Sequence, residues 1–215
     1  MRNFDGYIFD IDGTLTSTNE LIFSSFNYVT EKYINRTFTL GELIDFFGPP
    51  EEAILKDLTG DRFEEARKDY FEYYNEHHNR LADLYPGIKE VLKIIKDAGV
   101  KLGIFTGKGR EAATITLKLL NIYNYFDLIV TGDDVNIYKP DPDGIFRFIN
   151  EFNLSNEKVI LFGDSPADIK AARSAGIKIG SVVWDSYAKD TVLAMKSDYV
   201  FHTVEEMKEF VMGNI

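Results

Sequence analysis

Tyr7-Ile8-Phe9-Asp10-Ile11-Asp12-Gly13-Thr14-Leu15-Thr16 is a short apolar run that ends in two carboxylates and a glycine. An apolar stretch of this length stopped by a Gly turn reads as a buried strand. It delivers Asp10 and Asp12 to the strand's carboxyl end, which is the ligand edge of an open α/β sheet. Carboxylates at such an edge must meet a cation or do chemistry, because an unpaired buried charge is costly. A calcium loop does not fit. It needs Gly at the sixth position and Glu at the twelfth, and counting from Asp10 these are Leu15 and Leu21.

Outward from this strand, the chain from Tyr85 onward alternates. Pro86-Gly87 opens a helix with Ile88, Val91, Leu92 and Ile95 on one face, and Gly99 ends it. Strands are expected at 100–105, 126–130, 158–162, 177–183 and 199–201. Helices are expected around 112–120, at 143–152 and 167–175, around 189–195, and from 204 onward. Alternation of this kind gives a parallel sheet with right-handed crossovers, so the fold class is α/β, a doubly wound Rossmann-like core. Residues 17–81 break the rhythm. Ser17-Thr18-Asn19-Glu20 has the form of a capping box, the helix after it shows Ile22, Phe26, Val29 and Tyr33 on one face, and a second long helix from Asp61 to Leu81 shows Phe63, Ala66, Tyr70 and Tyr74. The expected division is an α/β core of 1–16 and 82–215 with an inserted all-helical unit of 17–81.

The chain has 215 residues and a formal net charge of −11. That balance argues against a nucleic-acid polymer as partner, which needs a basic face, but not against a small phosphate ester. There is no cysteine, so disulfides and thiolate chemistry are excluded. No apolar run is long enough for a membrane span and no secretory leader is legible, so the expectation is a cytoplasmic protein without a membrane partner.

Three further constellations fall at expected strand ends. Thr106-Gly107 precedes a helix, and the pair either starts that helix or holds a phosphate oxygen. Lys139 stands before Pro140 in Lys139-Pro140-Asp141-Pro142, where the prolines stiffen the backbone; it is either solvated or placed to neutralise a phosphoryl group. In Gly163-Asp164-Ser165-Pro166-Ala167-Asp168, Asp168 suits the first turn of a helix as well as a site, whereas Asp164 caps nothing and is the stronger metal-ligand candidate.

Taken in chain order, Asp10-Ile11-Asp12-Gly13-Thr14, Thr106-Gly107, Lys139-Pro140 and Gly163-Asp164-Ser165-Pro166-Ala167-Asp168 resemble the four motifs of the haloacid dehalogenase-like phosphatase superfamily, and the 17–81 insert resembles its mobile cap. Phe47-Gly48-Pro49-Pro50, Lys139-Pro140-Asp141-Pro142 and Ser181-Val182-Val183-Trp184 are similar to the phosphoglycolate phosphatase-like branch, the last also to its pyrophosphatase members. The resemblance implies a Mg²⁺-dependent phosphatase acting on small phosphate monoesters through an aspartyl-phosphate. Asp10 is then the nucleophile and Asp12 the acid and base. Asp10, Asp12 (through its carbonyl) and Asp164 hold the metal, with Asp168 supporting, and Thr106, Gly107 and Lys139 bind the phosphoryl group. Phe46, Phe47 and Gly48 form the cap loop expected to face the substrate. Pyrophosphate hydrolysis and a β-phosphoglucomutase-like transfer are the alternatives, and a monomer or homodimer is expected.

Overall fold

The computed structural model describes residues 2–215. In chain order the elements are β1 (Gly6–Phe9), β2 (Thr16–Ser17), α1 (Asn19–Ile34), α2 (Leu40–Ile44), α3 (Glu51–Thr59), α4 (Phe63–Leu81), β3 (Asp83–Leu84), α5 (Ile88–Asp97), β4 (Lys101–Phe105), α6 (Arg110–Leu119), β5 (Leu128–Val130), α7 (Asp143–Phe152), β6 (Val159–Gly163), α8 (Pro166–Ala175), β7 (Lys178–Val182), α9 (Lys189–Ala194), β8 (Tyr199–Phe201) and α10 (Val204–Met212). Six strands form one parallel sheet in the order β5-β4-β1-β6-β7-β8. Phe9 sits between Ile104 and Phe162 in the register.

Helices cover both faces of this sheet, which is why its central strands are continuous apolar runs rather than alternating ones. Side chains still alternate between the two layers. Tyr7, Phe9, Ile160 and Phe162 pack with α5 and α10 on one side, while Ile8, Val159 and Leu161 pack with α7 and α8 on the other. The Phe9 and Phe162 rings stack with centroids 5.0 Å apart. The strand order reverses at β1, so the crevice for a ligand falls at the carboxyl end of β1, between β4 and β6.

Helices α1 to α4 build a separate apolar cluster around Leu21, Phe26, Val29, Leu55, Tyr70 and Tyr74, joined on its sheet side by Ala112 of α6. The chain leaves the sheet through β2 and returns through β3, and these two strands pair antiparallel, Ser17 opposite Asp83. This pairing displaces the expected capping box. Ser17 is drawn into β2 and its hydroxyl reaches the Asp83 carbonyl at 3.4 Å. Thr18 takes the N-cap position of α1 without a side-chain capping bond. The capping signal at Ser165 behaves as read, Ser165 and Asp168 forming a reciprocal box at the start of α8 with Pro166 in the first turn, whereas α6 starts after Gly109 and is not capped by Thr106.

Candidate active site

β1 places Asp10 in the crevice, where its backbone N–H continues the sheet to the Phe162 carbonyl at 2.9 Å. The chain then turns tightly, with the amides of Thr14, Leu15 and Thr16 all directed at the Ile11 carbonyl. On a straight strand Asp12 would point to the same side as Asp10; the turn carries it away, towards Lys108. Gly13 is required there twice over. Its φ is +75°, and a Cβ would lie 2.5 Å from Asp164 Oδ2. Gly163, at the end of β6, is required by packing alone, because a Cβ would meet Asp168 Cγ at 2.3 Å.

Asp10, Asp164 and Asp168 each offer a carboxylate oxygen within 4.8 Å of the others. Burial pushes the Asp10 carboxyl up to about 6, with Asp168 and Asp12 adding to the effect and Lys139 opposing it. Burial, then Asp10 and Asp168, also raise Asp164 well above the usual carboxylate range. Lys139 Nζ stands 2.9 Å from Asp10 Oδ1 and 2.7 Å from Asp168 Oδ1. Burial opposes its charge, but the two carboxylates more than offset this and raise its pKa. One ammonium therefore faces three carboxylates, and hard oxygen donors with surplus negative charge suit Mg²⁺.

Asp168 serves both readings given for it. Its Oδ2 accepts the Ser165 amide and hydroxyl at 3.1 and 2.6 Å, starting α8, and its Oδ1 accepts Lys139. Thr106 is buried, and its hydroxyl accepts the Lys108 amide at 3.2 Å.

A chamber of 460 Å³ covers this edge. Asp10, Asp12, Thr106, Gly107, Lys139 and Asp164 all line it, and the facing wall is Ile22, Phe26, Ile44, Phe47 and Ile54. The structure thus gathers nearly every residue expected from the sequence. Phe47 and Gly48 reach the chamber, but Phe46 does not line it. Phe46 packs edge-on against Phe38, with centroids 5.1 Å apart, at the apolar interior of the helical layer. The Asp12 carboxylate lies outside the acidic triad and turns instead to Lys108, 3.3 Å from both of its oxygens.

Lys108, Glu51 and Lys170 also line the chamber, and Thr18 donates its hydroxyl to Asp12; sequence reasoning gave none of these a role. Lys108 follows Thr106-Gly107 directly, so its position was a usable signal. Glu51 is an acid at the start of a short helix behind Pro49-Pro50, and nothing local marks it as more than an N-terminal charge.

A sequence model of the haloacid dehalogenase-like hydrolases matches residues 7–182. A pyrophosphatase PpaX from Halalkalibacterium halodurans is 35% identical over 204 residues, which is 95% of this chain and 95% of that one. A solved structure of a predicted phosphoglycolate phosphatase from Haemophilus somnus shares the fold with a TM-score of 0.87 at 23% identity, covering 98% of this chain and 99% of the other. A Thermotoga maritima structure provisionally assigned as a β-phosphoglucomutase is 29% identical with a TM-score of 0.78, covering 99% of this chain and all (100%) of that one. The match spans the first strand, the inserted helices and the sheet as far as β7, and the chain belongs to the haloacid dehalogenase-like hydrolases.

Proposed function

We propose that this chain is a Mg²⁺-dependent phosphatase that hydrolyses a small phosphate compound through a phosphoryl group carried on Asp10. The observation that carries this reading is one chamber in which Asp10, Asp12, Thr106, Gly107, Lys139 and Asp164 converge. An Asp10 oxygen attacks phosphorus and forms the new O–P bond as the bond to the leaving oxygen breaks, while the Asp12 proton passes to that oxygen. Water then attacks the Asp10 phosphoryl group, Asp12 takes the water's proton, and phosphate and the free carboxylate result. Thr106, the Gly107 amide and Lys139 hold the equatorial oxygens, over which charge spreads in the transition state. Asp10, Asp164 and the Asp12 carbonyl, with Asp168 beside them, would hold Mg²⁺, which would supply the positive charge that lets a carboxylate approach a phosphate dianion.

Residues 17–81 act in this reading as a cap over the sheet edge, with β2 and β3 as the paired hinge strands. A closed cap excludes bulk water during the first step and reads the leaving group. Its apolar wall favours an organic monoester. The pyrophosphatase relatives favour pyrophosphate as the second reading.

The test is Mg²⁺-dependent phosphate release across small monoesters and pyrophosphate, with Asp10→Asn as control. Release on one or a few compounds is expected, with loss of at least ~10³-fold in the control and loss on chelation. Undiminished turnover by the control would remove Asp10 as nucleophile. Isomerisation of a sugar phosphate without phosphate release would replace the hydrolase with a mutase.

A further inference from the structure

The proposed chemistry leaves one buried lysine unused. Lys108 follows Thr106-Gly107 beyond β4, and its side chain is 0% exposed. Nζ lies 3.3 Å from both Asp12 oxygens and 3.2 Å from Glu51 Oε1, with the Tyr74 ring 5.1 Å away. An ammonium has three N–H donors; Lys108 directs its hydrogen bonds at Asp12 and pairs its charge with Glu51 as well. Lys108 borders the chamber with its charge committed to Asp12 and Glu51. That separates it from Lys139, which faces the acidic triad.

Glu51 reaches Lys108 from the helical layer, as the first residue of α3. Its Oε2 also accepts the Gly109 amide at 2.6 Å, so it clasps both the side chain and the backbone of one core loop. Thr18, at the start of α1, donates its hydroxyl to Asp12 Oδ1. Lys108 and Thr18, from two separate segments, therefore fix a carboxylate that would otherwise choose among rotamers, and Glu51, from a third, holds Lys108 in place. Proton transfer requires hydrogen-bond reach to the reacting oxygen, so this orientation bears directly on the rate.

We propose that Lys108 is the positioning residue that aims Asp12 at the leaving-group oxygen, and that Glu51 makes this aim depend on the helical layer being seated on the core. The proposal rests on the reading of Asp10 as nucleophile and Asp12 as proton donor. Lys108 acts only through Asp12, so its loss must be felt where the leaving group needs a proton and little elsewhere. A phosphate-anchoring lysine would affect every ester alike.

Phenyl phosphate and p-nitrophenyl phosphate have nearly the same shape and charge, but phenolate is much the more basic leaving group. Release of each phenol is followed in a single turnover, so that the later hydrolysis of the Asp10 phosphoryl group does not mask the first step. Lys108→Met is expected to slow phenol release on the order of 10²-fold and p-nitrophenol release less than ~10-fold, with KM little changed. Glu51→Gln is expected to show the same bias at smaller size, and it carries the test alone where circular dichroism shows that Lys108→Met does not fold. Equal losses on the two esters, or a loss confined to KM, would overturn the positioning role and leave the Asp10 reading intact. An unbiased Glu51→Gln beside a biased Lys108→Met would remove the dependence on the helical layer. Wild-type protein that releases neither phenol, or an Asp10→Asn protein that releases both at the wild-type rate, would remove the underlying reading and the inference with it.

Discussion

Two lysines stand at the carboxyl edge of the sheet, each between two carboxylates, and they differ in where the carboxylates come from. Lys139 bridges Asp10, at the end of β1, and Asp168, in the first turn of α8, both supplied by the core. Lys108 bridges Asp12 of the core and Glu51 of the helical layer. The first arrangement is complete within the core alone. The second exists only when α3 is docked on the loop after β4. One edge thus holds a preorganised charge cluster beside an assembled one, and the chemistry proposed here divides the same way: phosphorus at the first, the leaving oxygen at the second.

Removing Lys139 should break this symmetry most severely. Asp168 has a side chain 0% exposed and Asp10 one 12% exposed, so neither can turn to water. Taking one partner from a buried pair typically costs about 3–5 kcal/mol. Lys139→Met is expected to lose that much in urea unfolding at neutral pH in the presence of a chelator. Lys108→Met should lose less, roughly 1–3 kcal/mol, because the Asp12 side chain is 21% exposed and can rehydrate, while Glu51, 7% exposed, keeps the Gly109 amide. Equal losses would mean that the two clusters are equally rigid and would dissolve the distinction.

Gly13→Ala tests the preorganised side without touching a charge. The added methyl meets Asp164 Oδ2 and must adopt a positive φ, so Asp164 has to move. Displacement of a site group by about 1 Å is worth on the order of 10² in rate, and kcat is expected to fall by that factor with the Mg²⁺ requirement shifted to higher concentration. Thr18→Val tests the assembled side and should be milder. It deletes one hydroxyl donor to Asp12, worth about 1 kcal/mol or roughly fivefold in kcat. The loss should appear with phenyl phosphate and fade with p-nitrophenyl phosphate.

The preorganised side was also the side legible in the sequence. Asp10, Thr106 and Asp164 each follow a strand that announces itself by apolar runs and Gly or Pro punctuation, and the sheet-edge rule then brings them together without knowledge of any contact. The crossover rule pointed to a parallel sheet; its strand order came only with the structure. The assembled side had no such rule. Glu51 and Gly109 are 58 positions apart, and their meeting depends on how a helical layer docks, which no periodicity encodes. Ser17-Thr18-Asn19-Glu20 misled for a related reason. A local capping pattern was overridden by a tertiary pairing, β2 with β3, and this freed the Thr18 hydroxyl for Asp12. Phe46 and Phe47 are adjacent in a loop where neither helix nor strand period applies, so the sequence could not say which ring faces inward; the fold seats Phe46 on Phe38 and leaves Phe47 at the chamber.

The smallest expected effect lies behind Lys108. His78 of α4 is buried, with Nε2 3.2 Å from the Thr116 hydroxyl and no partner for Nδ1 among the described residues. Burial, reinforced by the nearby Lys108 charge, pushes its imidazole down to about 4. The unfolded chain takes up this proton near pH ~6.5, whereas the folded chain stays neutral until about 4. The unfolded state therefore binds more protons across that window, and this group makes the fold lose stability as pH falls from ~6.5 towards 4. His78→Gln should flatten that part of the stability profile in urea unfolding at several pH values. In Lys108→Met the lysine charge is gone while burial remains, so the His78 resonance, followed by NMR titration, should move upward only part of the way to the ordinary value. No movement would mean that burial alone depresses it and that the Lys108 charge is confined to the chamber side. A partial rise would show that the assembled cluster is felt at the contact between α4 and α6.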